Sequence, residues 1–321
     1  MNSNKADELL RVESLSVELG GRRILDNVSF KVKEGEMLGI VGVSGVGKTT
    51  LLNSIIGHYS TKSGNVLYKS VRAKRFISVL DNLDNFKKLF GFSAQTPSFY
   101  PELTVLENLE YFASLYDMPE NIKRLNIRKI LQLVKLREHT KALAKNLSGG
   151  MKKRLDIACA LVHNPLILIL DEPTSDMDPL LTVHIWNLLE DINESGTTVL
   201  VASHFLSEVE NNCDRMVFLR DGRAEFIGSP KNFRQLYSKI KEIHIKAEDG
   251  KYDLILRKVK NMPFLEVKHV YKKSGILIHS LKTENALRHA LSSIESEAKN
   301  ISDIEIRNPS MDMLFRLFAK K

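Results

Sequence analysis

The sequence predicts an α/β fold with a parallel sheet, an antiparallel flank at its amino end, and a small α+β domain at the carboxyl end. The short segment 166–170 is apolar throughout, and 197–202 is two threonines followed by four apolar residues; both are typical of strands in a sheet that helices cover on both faces. Segments with helical periodicity alternate with these strands, which favours parallel pairing. After about Ile240 the pattern changes to several short strands, which indicates a second domain.

Each element of the first domain, expected at 1–236, follows from a local pattern. Alternating apolar and polar residues at 9–17 and 27–32 predict two half-buried antiparallel strands. The apolar run 37–41 predicts a buried strand, and a glycine-rich turn after it leads into a helix from about Lys48. Further helices are predicted at 103–116, 121–136, 150–162 and 179–193.

The second domain is expected at 237–321. A helix is predicted at 284–296, and a last helix carries four apolar residues at i, i+3, i+4 and i+7 over 311–318, a stripe that it must bury. This domain is interpreted as an accessory module, and dimerisation and regulation both stay open as its role. Its strands are predicted at 242–247, 264–271, 275–281 and 301–306.

Composition restricts where the protein works. The chain has 321 residues, and its longest aliphatic run, 166–170, is far shorter than the roughly 20 apolar residues of a membrane span. The start, Met1 to Glu8, lacks an apolar signal core, so we expect a cytoplasmic protein unless a partner holds it at a membrane. Cys159 and Cys213 have no metal-site spacing, and no disulfide is expected.

The net charge of +8 does not identify a class of partner. Basic residues are scattered along the chain, and the densest group, Lys152-Lys153-Arg154, is interpreted as solvated surface. The polar stretch between Tyr68 and Leu89 is interpreted as a mobile surface insertion.

The first motif is a glycine-rich turn between a predicted strand and a predicted helix. It fits G-x-x-x-x-G-K-[ST], in which glycines let backbone N–H groups wrap around a triphosphate and the helix start adds positive potential. Lys48 is expected to reach the β- and γ-phosphates, Thr49 to ligate Mg²⁺, and Thr50 to donate to the α-phosphate. The alternative is a glycine turn that binds nothing. The predicted binding residues are Gly42, Ser44, Gly45, Val46, Gly47, Lys48, Thr49 and Thr50.

Two carboxylates follow directly on the apolar strand 166–170. Asp171 and Glu172 should therefore lie at the carboxyl edge of the sheet, where ligands of α/β proteins bind. We expect Asp171 to hold Mg²⁺ through water, and Glu172 to orient or deprotonate the attacking water. Alone, such a pair is also common as a solvated turn. Together with the phosphate motif it indicates hydrolysis as well as binding.

A second glycine motif, Ser148-Gly149-Gly150, precedes a helical stretch with basic residues in its first turn. Bare N–H groups, a hydroxyl and the helix dipole form a second anion site there. One nucleotide cannot easily occupy both glycine-rich sites of one chain, so we expect this motif to serve the nucleotide of a neighbouring subunit. Taken alone, Ser-Gly-Gly is more often a loop than a site.

With Leu147 in front of it, this motif resembles the signature of the ATP-binding subunits of ABC transporters, and the resemblance extends over 9–234. Gln95 matches the family residue that touches Mg²⁺ or the attacking water, and His204 matches the histidine that senses the γ-phosphate. Asp178 matches the loop that meets the partner's phosphate turn. Each has a simpler alternative: a surface glutamine, a satisfied strand-end histidine, and a plain helix N-cap.

The resemblance implies a P-loop NTPase core of the ABC-ATPase type with a helical subdomain, and an ATPase that uses ATP and Mg²⁺. Two subunits, identical or paralogous, would sandwich two ATP molecules, each between the phosphate turn of one chain and Ser148-Gly149-Gly150 of the other. The metal residues that it implies are Thr49, Gln95 and Asp171, and the residues implied in hydrolysis are Lys48, Gln95, Glu172 and His204.

Integral membrane permease subunits on separate chains are the partners that the resemblance implies, which would place the chain on the inner face of the cell membrane. The segment 97–105 resembles the part that grips a permease helix; the alternative is an ordinary loop with a buried phenylalanine. The segment 308–315 resembles the end of subunits from drug- and polysaccharide-exporting systems, which favours an exporter.

Two positions depart from the family's pattern. Leu19 stands where the family often has an aromatic side chain against the adenine, so base affinity and selectivity are expected to differ. Asp176-Met177 replaces the usual Gly-Leu before Asp178, which adds charge near the expected dimer interface.

Two other functions stay open from the sequence. A non-transport ATPase of the same group would act on nucleic acid or ribosomes, but such proteins usually carry two ATPase modules or long coiled-coil insertions. No nucleic acid partner is therefore expected. A non-hydrolysing regulatory protein would not need the intact Lys48, Asp171, Glu172 and His204.

Overall fold

The computed structural model divides into two compact units, Met1–Pro230 and Lys231–Lys321. The helices predicted at 284–296 and within 311–318 lie outside the described residues. Among the residues that the structure describes, no helix combines the length and the apolar character that crossing a membrane requires. The structure describes residues 7–70, 75–236, 241–247, 265–271, 275–280 and 301–307.

Strands and helices alternate along most of the first unit, and the elements predicted for it are confirmed with small differences at their ends. A further helix, α8 (Pro230–Leu236), begins at the boundary between the units. The elements before it are β1 (Glu8–Leu19), β2 (Arg22–Lys33), β3 (Met37–Val41), α1 (Lys48–Ile55), β4 (Ser63–Ser70), β5 (Arg75–Ser78), α2 (Leu83–Lys87), β6 (Phe90–Ser93), α3 (Val105–Ser114), α4 (Glu120–Leu133), α5 (Gly149–Leu161), β7 (Ile167–Asp171), α6 (Pro179–Glu194), β8 (Thr198–Ser203), α7 (Leu206–Asn212), β9 (Arg215–Arg220) and β10 (Arg223–Gly228).

The antiparallel flank is a sheet of order β2-β1-β4-β5. β1 and β2 pair along their whole length, and Gly20 and Gly21 take φ of 55° and 76° in the turn between them. One face of this sheet is buried, which explains the alternation of apolar and polar residues in both strands.

The second sheet has the order β10-β9-β3-β8-β7-β6, and the strands from β9 to β6 run parallel. Every residue of β3, β7 and β8 is buried, which is why these strands are mostly apolar; Asp171, Thr198 and Ser203 are their buried polar residues. The carboxyl ends of β3, β8, β7 and β6 lie side by side at one edge. A predicted motif follows each of these ends, so the sheet gathers four segments that are distant in sequence.

A hydrophobic core joins side chains of both sheets to Leu51, Leu52 and Ile55 of α1, which are fully buried. Burial of one such side chain contributes about 1.5–3 kcal/mol to folding. The core therefore fixes α1, and with it the glycine-rich turn that precedes the helix.

The helical part of the first unit is built from α3, α4 and α5, which pack against one another. A capping box begins α3: the Glu107 N–H donates to the Thr104 hydroxyl at 3.2 Å, and the Thr104 N–H donates to the Glu107 carboxylate at 2.7 Å. This arrangement agrees with the helical subdomain that the resemblance implies.

Within the stretch between Tyr68 and Leu89, residues 75–89 are not a surface insertion, so that interpretation was wrong for them; residues 71–74 lie outside the described part. The chain continues the antiparallel sheet through β5 and then forms α2. Phe86 is fully buried, and its ring centroid lies 5.1 Å from that of Tyr68 and 5.0 Å from that of Phe90. Polar residues dominate the composition of this stretch. The buried ring of Phe86 nevertheless anchors the stretch in the core.

After α8, the described part of the second unit is an antiparallel sheet of order β12-β13-β11-β14. These four strands confirm the strand predictions after Ile240, whereas the α+β class of the unit stays a prediction because its predicted helices lie outside the described residues. The strands are β11 (Lys241–Ala247), β12 (Leu265–Tyr271), β13 (Gly275–Ser280) and β14 (Ile301–Arg307).

Candidate active site

The glycine-rich turn joins the end of β3 to the start of α1. Gly47 immediately precedes the helix with φ of 110°, a backbone conformation that residues with a Cβ rarely adopt. A Cβ atom at this position would also lie 2.9 Å from the Leu25 side chain. Ser44 and Gly45 are exposed at the mouth of the turn. The backbone is therefore tight where it enters the helix and open where a phosphate would approach.

The Lys48 side chain folds back over this turn. Its Nζ donates to the carbonyl oxygens of Gly42 at 2.9 Å and Val43 at 3.4 Å. It also lies 3.2 Å from Glu172 Oε1, and the lysine side chain is only 4% exposed. A buried cation needs such compensation, so the phosphate turn and the end of β7 are joined by a direct ionic contact.

Glu172 connects this lysine to the histidine that follows β8. Its Oε2 atom is 3.0 Å from His204 Nδ1, and an ionised carboxylate only accepts, so Nδ1 carries the hydrogen. Glu172 has φ of 47°, while its backbone N–H donates to the Ala202 carbonyl at 2.9 Å. The positive φ costs about 1–2 kcal/mol. It turns the carboxylate out of the strand direction and towards its two partners.

Asp171, the last residue of β7, is buried, and its Oδ1 atom has no hydrogen-bond partner among the described residues. Burial raises the pKa of this carboxyl, and the charge of Glu172 adds to the rise, against a hydrogen bond from Thr49 and the charge of Lys48. A buried carboxylate oxygen without a donor beside a threonine hydroxyl suits a hard cation such as Mg²⁺. The residues present therefore fit the predicted metal.

Gln95 follows β6, the neighbour of β7, and is exposed. The two strands pair with Ser93 opposite Leu170, so Gln95 begins a segment beside the strand end that carries Asp171. No hydrogen bond or ion pair joins Gln95 to the Lys48–Glu172–His204 group in the part of the chain that the structure describes. Its role at the metal or at water stays a prediction.

The second glycine motif forms the start of α5. Ser148 is the N-cap, and its hydroxyl accepts from the Met151 N–H at 3.4 Å. Ser148 and Gly149 are exposed, and a Cβ built on Gly149 meets nothing within 4 Å. Within the described residues, no polar contact links them to the chain's own phosphate turn. An open helix start without such a link is suited to a ligand held by a second copy.

Asp178 caps α6, with its Oδ1 accepting from the N–H groups of Leu180 and Leu181 at 2.9 Å each. It is exposed, and Pro179 occupies the first helical turn. The simpler alternative, an N-cap, is therefore correct as far as this chain alone is concerned, and a contact with a partner's phosphate turn stays a prediction.

Two side chains bear on the expectations from the sequence. In the segment 97–105, Phe99 is buried, as the alternative of an ordinary loop with a buried phenylalanine expects, whereas Tyr100 is exposed. Lys153 is buried, although its place in a basic run suggested solvated surface. It lies on the face of α5 that turns towards β6, where Ser93 is its hydrogen-bond partner.

Sequence reasoning missed a buried polar cluster formed by Lys153, Asp156 and Ser93. The available signal was positional: Lys153 and Asp156 fall on the same helical face as Ile157 and Ala160, which are apolar. Charged residues in such a stripe predict either a solvated edge or a buried pair, and only the fold decides between them. Leu19, at the adenine position, is partly buried and packs against the core.

A family model described as "ABC transporter" matches residues 25–175, which include the phosphate turn, the second glycine motif and Glu172. The chain is 36% identical over 224 residues to the uncharacterized ABC transporter ATP-binding protein YdbJ of Bacillus subtilis (strain 168), covering 68% of this chain and 69% of that protein.

Two other relatives are matched over more of this chain. One is the linearmycin resistance ATP-binding protein LnrL of Bacillus subtilis (strain 168), 28% identical over 317 residues, with 96% of this chain and 97% of that protein covered. The other is the Fe(3+) ions import ATP-binding protein FbpC of Fusobacterium nucleatum subsp. nucleatum, 29% identical over 289 residues, with 90% and 74% covered.

Solved structures show the same architecture. CbiO1 of Clostridium perfringens, part of the ABC transporter complex cbiONQ, has a TM-score of 0.65 at 26% identity, over 80% of this chain and 96% of that one. A bacterial ABC transporter cassette solved as a dimer has a TM-score of 0.60 at 29% identity, over 69% and 99%. The shared motifs, their order along the chain and the shared fold lead to one conclusion: the chain belongs to the ABC transporter family, as an ATP-binding subunit with ATPase activity.

Proposed function

We propose that this chain energises an exporter, through ATP-driven pairing of two copies, or of one copy with a paralogue, coupled to permease subunits on separate chains. The hydrolytic part rests on one observation: Glu172 contacts both Lys48 and His204, and Asp171 beside it carries a buried oxygen without a partner in the described part of the chain. Attached to a permease, the chain would lie on the inner face of the cell membrane.

ATP binding begins at the phosphate turn. The N–H groups at the start of α1 and the positive end of that helix attract the phosphates, and Lys48 is close enough to the turn to place its ammonium on the β- and γ-phosphates. Ser44, Gly45, Val46 and Gly47 supply the backbone of this cradle. Thr50, on the first turn of α1, donates to the α-phosphate.

Mg²⁺ would be held by Thr49, Asp171 and Gln95, and when bound it supplies positive charge to the phosphate oxygens. Asp171 contributes a carboxylate that is already desolvated, so its attraction for a cation is little weakened by water. Thr49 holds its hydroxyl next to that carboxylate.

Hydrolysis depends on Glu172 as the acceptor of a proton from the attacking water, or as the group that orients this water. His204 donates to Oε2 and fixes the plane of the carboxylate, so that its other oxygen stays near Lys48. Loss of negative charge from Glu172 would therefore remove the proton acceptor and the ionic part of its contact with Lys48.

The second half of each site would come from the partner. Ser148 and Gly149 are exposed at the start of α5, Gly150 behind them is buried, and the first turn of that helix carries no acidic residue. Asp178 lies at the exposed start of α6. Two copies related by a two-fold axis would place these groups over each other's phosphate turns, and ATP would then hold the dimer together. The second domain, predicted at 237–321, is proposed as an accessory module that assists pairing or regulation.

A groove with a volume of about 550 Å³ offers a place for a permease helix. Its apolar wall includes Phe92, Phe112 and Leu115, and its charged rim includes Asp84 and Lys87. The mixture suits an amphipathic cytoplasmic helix, whose apolar face would enter the groove. Ser98, in the segment that follows Gln95, also lines this groove. A helix bound in the groove would therefore contact that segment and be displaced when the segment moves.

The export direction rests on the relatives. LnrL, which is matched over nearly its whole length, is named for resistance to linearmycin, and moving a toxic compound outward is one way to confer resistance. FbpC is named for import, which makes import the competing direction. It is matched over a smaller share of its length than LnrL, so its name weighs less. Of the relatives reported above, YdbJ is named as an ABC transporter protein, FbpC for import and LnrL for resistance. None of these names supports the alternative of an ATPase acting on nucleic acid.

The direction of transport is tested in cells that produce the chain together with the permease that co-purifies with it from membranes. If the chain drives export, replacement of the wild type by Lys48→Ala raises the accumulation of labelled linearmycin, the compound for which LnrL is named, because efflux stops while passive entry continues. Accumulation that falls in the Lys48→Ala cells would indicate import. A Lys69→Ala variant, which changes an exposed lysine paired with Asp7, is expected to match the wild type.

A further inference from the structure

The segment that carries Gln95 is held at both ends by one turn of α5. Lys153 Nζ donates to the Ser93 hydroxyl at 3.0 Å and to the Ala94 carbonyl at 3.2 Å. On the other side of Gln95, the Ser98 N–H donates to Asp156 Oδ1 at 2.8 Å. Lys153 and Asp156 therefore hold the two ends of the segment 93–98, in which Gln95 lies.

The side chains of Lys153 and Asp156 also form an ion pair with each other. Lys153 Nζ lies 3.6 Å from Asp156 Oδ2, and the Ser93 hydroxyl donates to the same oxygen at 2.5 Å. Their side chains are 7% and 1% exposed. A buried ion pair of this kind gains little stability over an apolar pair of similar size. A role in fixing one conformation therefore explains its presence better than stability does.

The position of this pair along α5 connects two different sites. The same helix begins at Ser148-Gly149-Gly150, which in the proposed dimer meets the partner's nucleotide, whereas Gln95 serves the nucleotide of its own chain. Burial lowers the pKa of the Lys153 ammonium, against the charges of Asp156 and Asp171, so the cation also acts on the carboxylate at the end of β7. A shift or rotation of α5 would be passed to the ends of the Gln95 segment through direct hydrogen bonds.

We infer that Lys153 and Asp156 are positioning residues that fix Gln95 for hydrolysis and link it mechanically to the helix start that binds the partner's ATP. This inference rests on the proposed role of Gln95 and on the proposed composite site. It adds that one chain senses the partner's nucleotide through α5 and adjusts its own hydrolytic site by the buried pair.

The test is a set of steady-state ATPase measurements on the double variant Lys153→Met/Asp156→Leu, which removes both charges and leaves no lone buried ion. We expect kcat to fall about 10-fold or more, because misplacement of a group by about 1 Å has effects of that size. KM for ATP is expected to stay within about two-fold, because the phosphate turn is untouched. Lys153→Arg, which keeps the cation, should recover most of the rate.

Dependence on Gln95 separates positioning from a general structural effect. In a Gln95→Ala background the double variant is expected to lower kcat by less than about two-fold, because the residue that the pair positions is already gone. Additive losses would overturn the inference, and so would a Gln95→Ala variant with the wild-type rate. Ser93→Ala, which removes only the central hydroxyl, gives the same comparison if the double variant does not fold, as judged by thermal unfolding.

A matched control is the ion pair of Arg215 and Glu36, at 2.9 Å, at the opposite edge of the parallel sheet. Arg215→Met/Glu36→Leu should change the unfolding temperature but not kcat. The inference and the proposed function fail in different ways. A Glu172→Gln chain that does not dimerise with ATP refutes the composite site, whereas a Glu172→Gln chain that dimerises, together with additive losses in kcat, refutes the positioning role alone.

Discussion

Replacement of Glu172 by glutamine is expected to lower kcat for ATP hydrolysis by about 10²–10⁴-fold, the usual contribution of a general base. The amide has the size of the carboxylate and keeps the Cβ, so the backbone at φ 47° is not altered. It cannot take the proton of the attacking water, whereas the phosphate turn is intact. ATP should therefore bind without turnover, and the variant should persist as a dimer in size-exclusion chromatography with ATP and Mg²⁺.

A matched control is Glu208→Gln. The Glu208 carboxylate accepts from the Thr174 hydroxyl at 2.7 Å and from Trp186 Nε1 at 3.2 Å, close to the same strand end. In the proposed scheme Glu208 has only a structural role and does not contact Lys48 or His204. Its variant should hydrolyse ATP at nearly the wild-type kcat and should not accumulate as a dimer. A Glu172→Gln chain that stays monomeric with ATP would contradict ATP-dependent pairing.

Replacement of Lys48 by alanine is expected to remove nucleotide-dependent behaviour. A hydrogen bond to a charged group is worth about 1.5–3 kcal/mol, so the loss of the ammonium should weaken ATP binding by roughly 10- to 100-fold. The loss of charge stabilisation in the transition state adds a further factor of about 10²–10³ in kcat. Binding of a fluorescent ATP analogue and the release of phosphate measure the two effects separately.

Lys48→Met serves as the companion variant, because it keeps the length of the side chain and loses only the ammonium. Both variants leave Glu172 without its contact at 3.2 Å, so thermal unfolding should be recorded alongside the kinetics. Equal losses in the two variants assign the effect to the charge. A rate of phosphate release equal to that of the wild type in either variant would remove Lys48 from its proposed role.

Much of the first unit could be predicted from sequence because its signals are local. The strands β3, β7 and β8 are short and mostly apolar. A residue of clear chemistry stands at or just after the end of each: Gly42 after β3, Asp171 at the end of β7 and His204 after β8. The order of motifs along the chain then fixes which strand ends must meet, since parallel strands present their carboxyl ends at one edge.

The errors have a common physical origin. The polar residues around Phe86 indicate a surface segment, whereas the burial of its ring depends on contacts with Tyr68 of β4 and Phe90 of β6, which lie on two different sheets. Lys153 was placed in solvent for the same reason. Its partners Ser93 and Ala94 belong to another strand end, and no pattern within α5 indicates them.

The candidate site shows the same division. Residue types and spacing predicted the phosphate turn and the carboxylates at the end of β7, but not that Lys48 and His204 would both contact Glu172. That contact depends on how far β3, β7 and β8 extend relative to each other, which is a property of the sheet register and not of any one motif.

The central claim is that ATP is held between the phosphate turn of one copy and the serine–diglycine helix start of another, and inter-chain disulfide formation tests it most directly. Two chains in the Glu172→Gln background are mixed, one with Ser44→Cys and the other with Gly149→Cys. Both positions are exposed, and the native Cys159 and Cys213 are buried. We predict a disulfide between the two chains that forms with ATP and Mg²⁺ and not with ADP. An ATP-loaded dimer that forms without this disulfide would contradict the account.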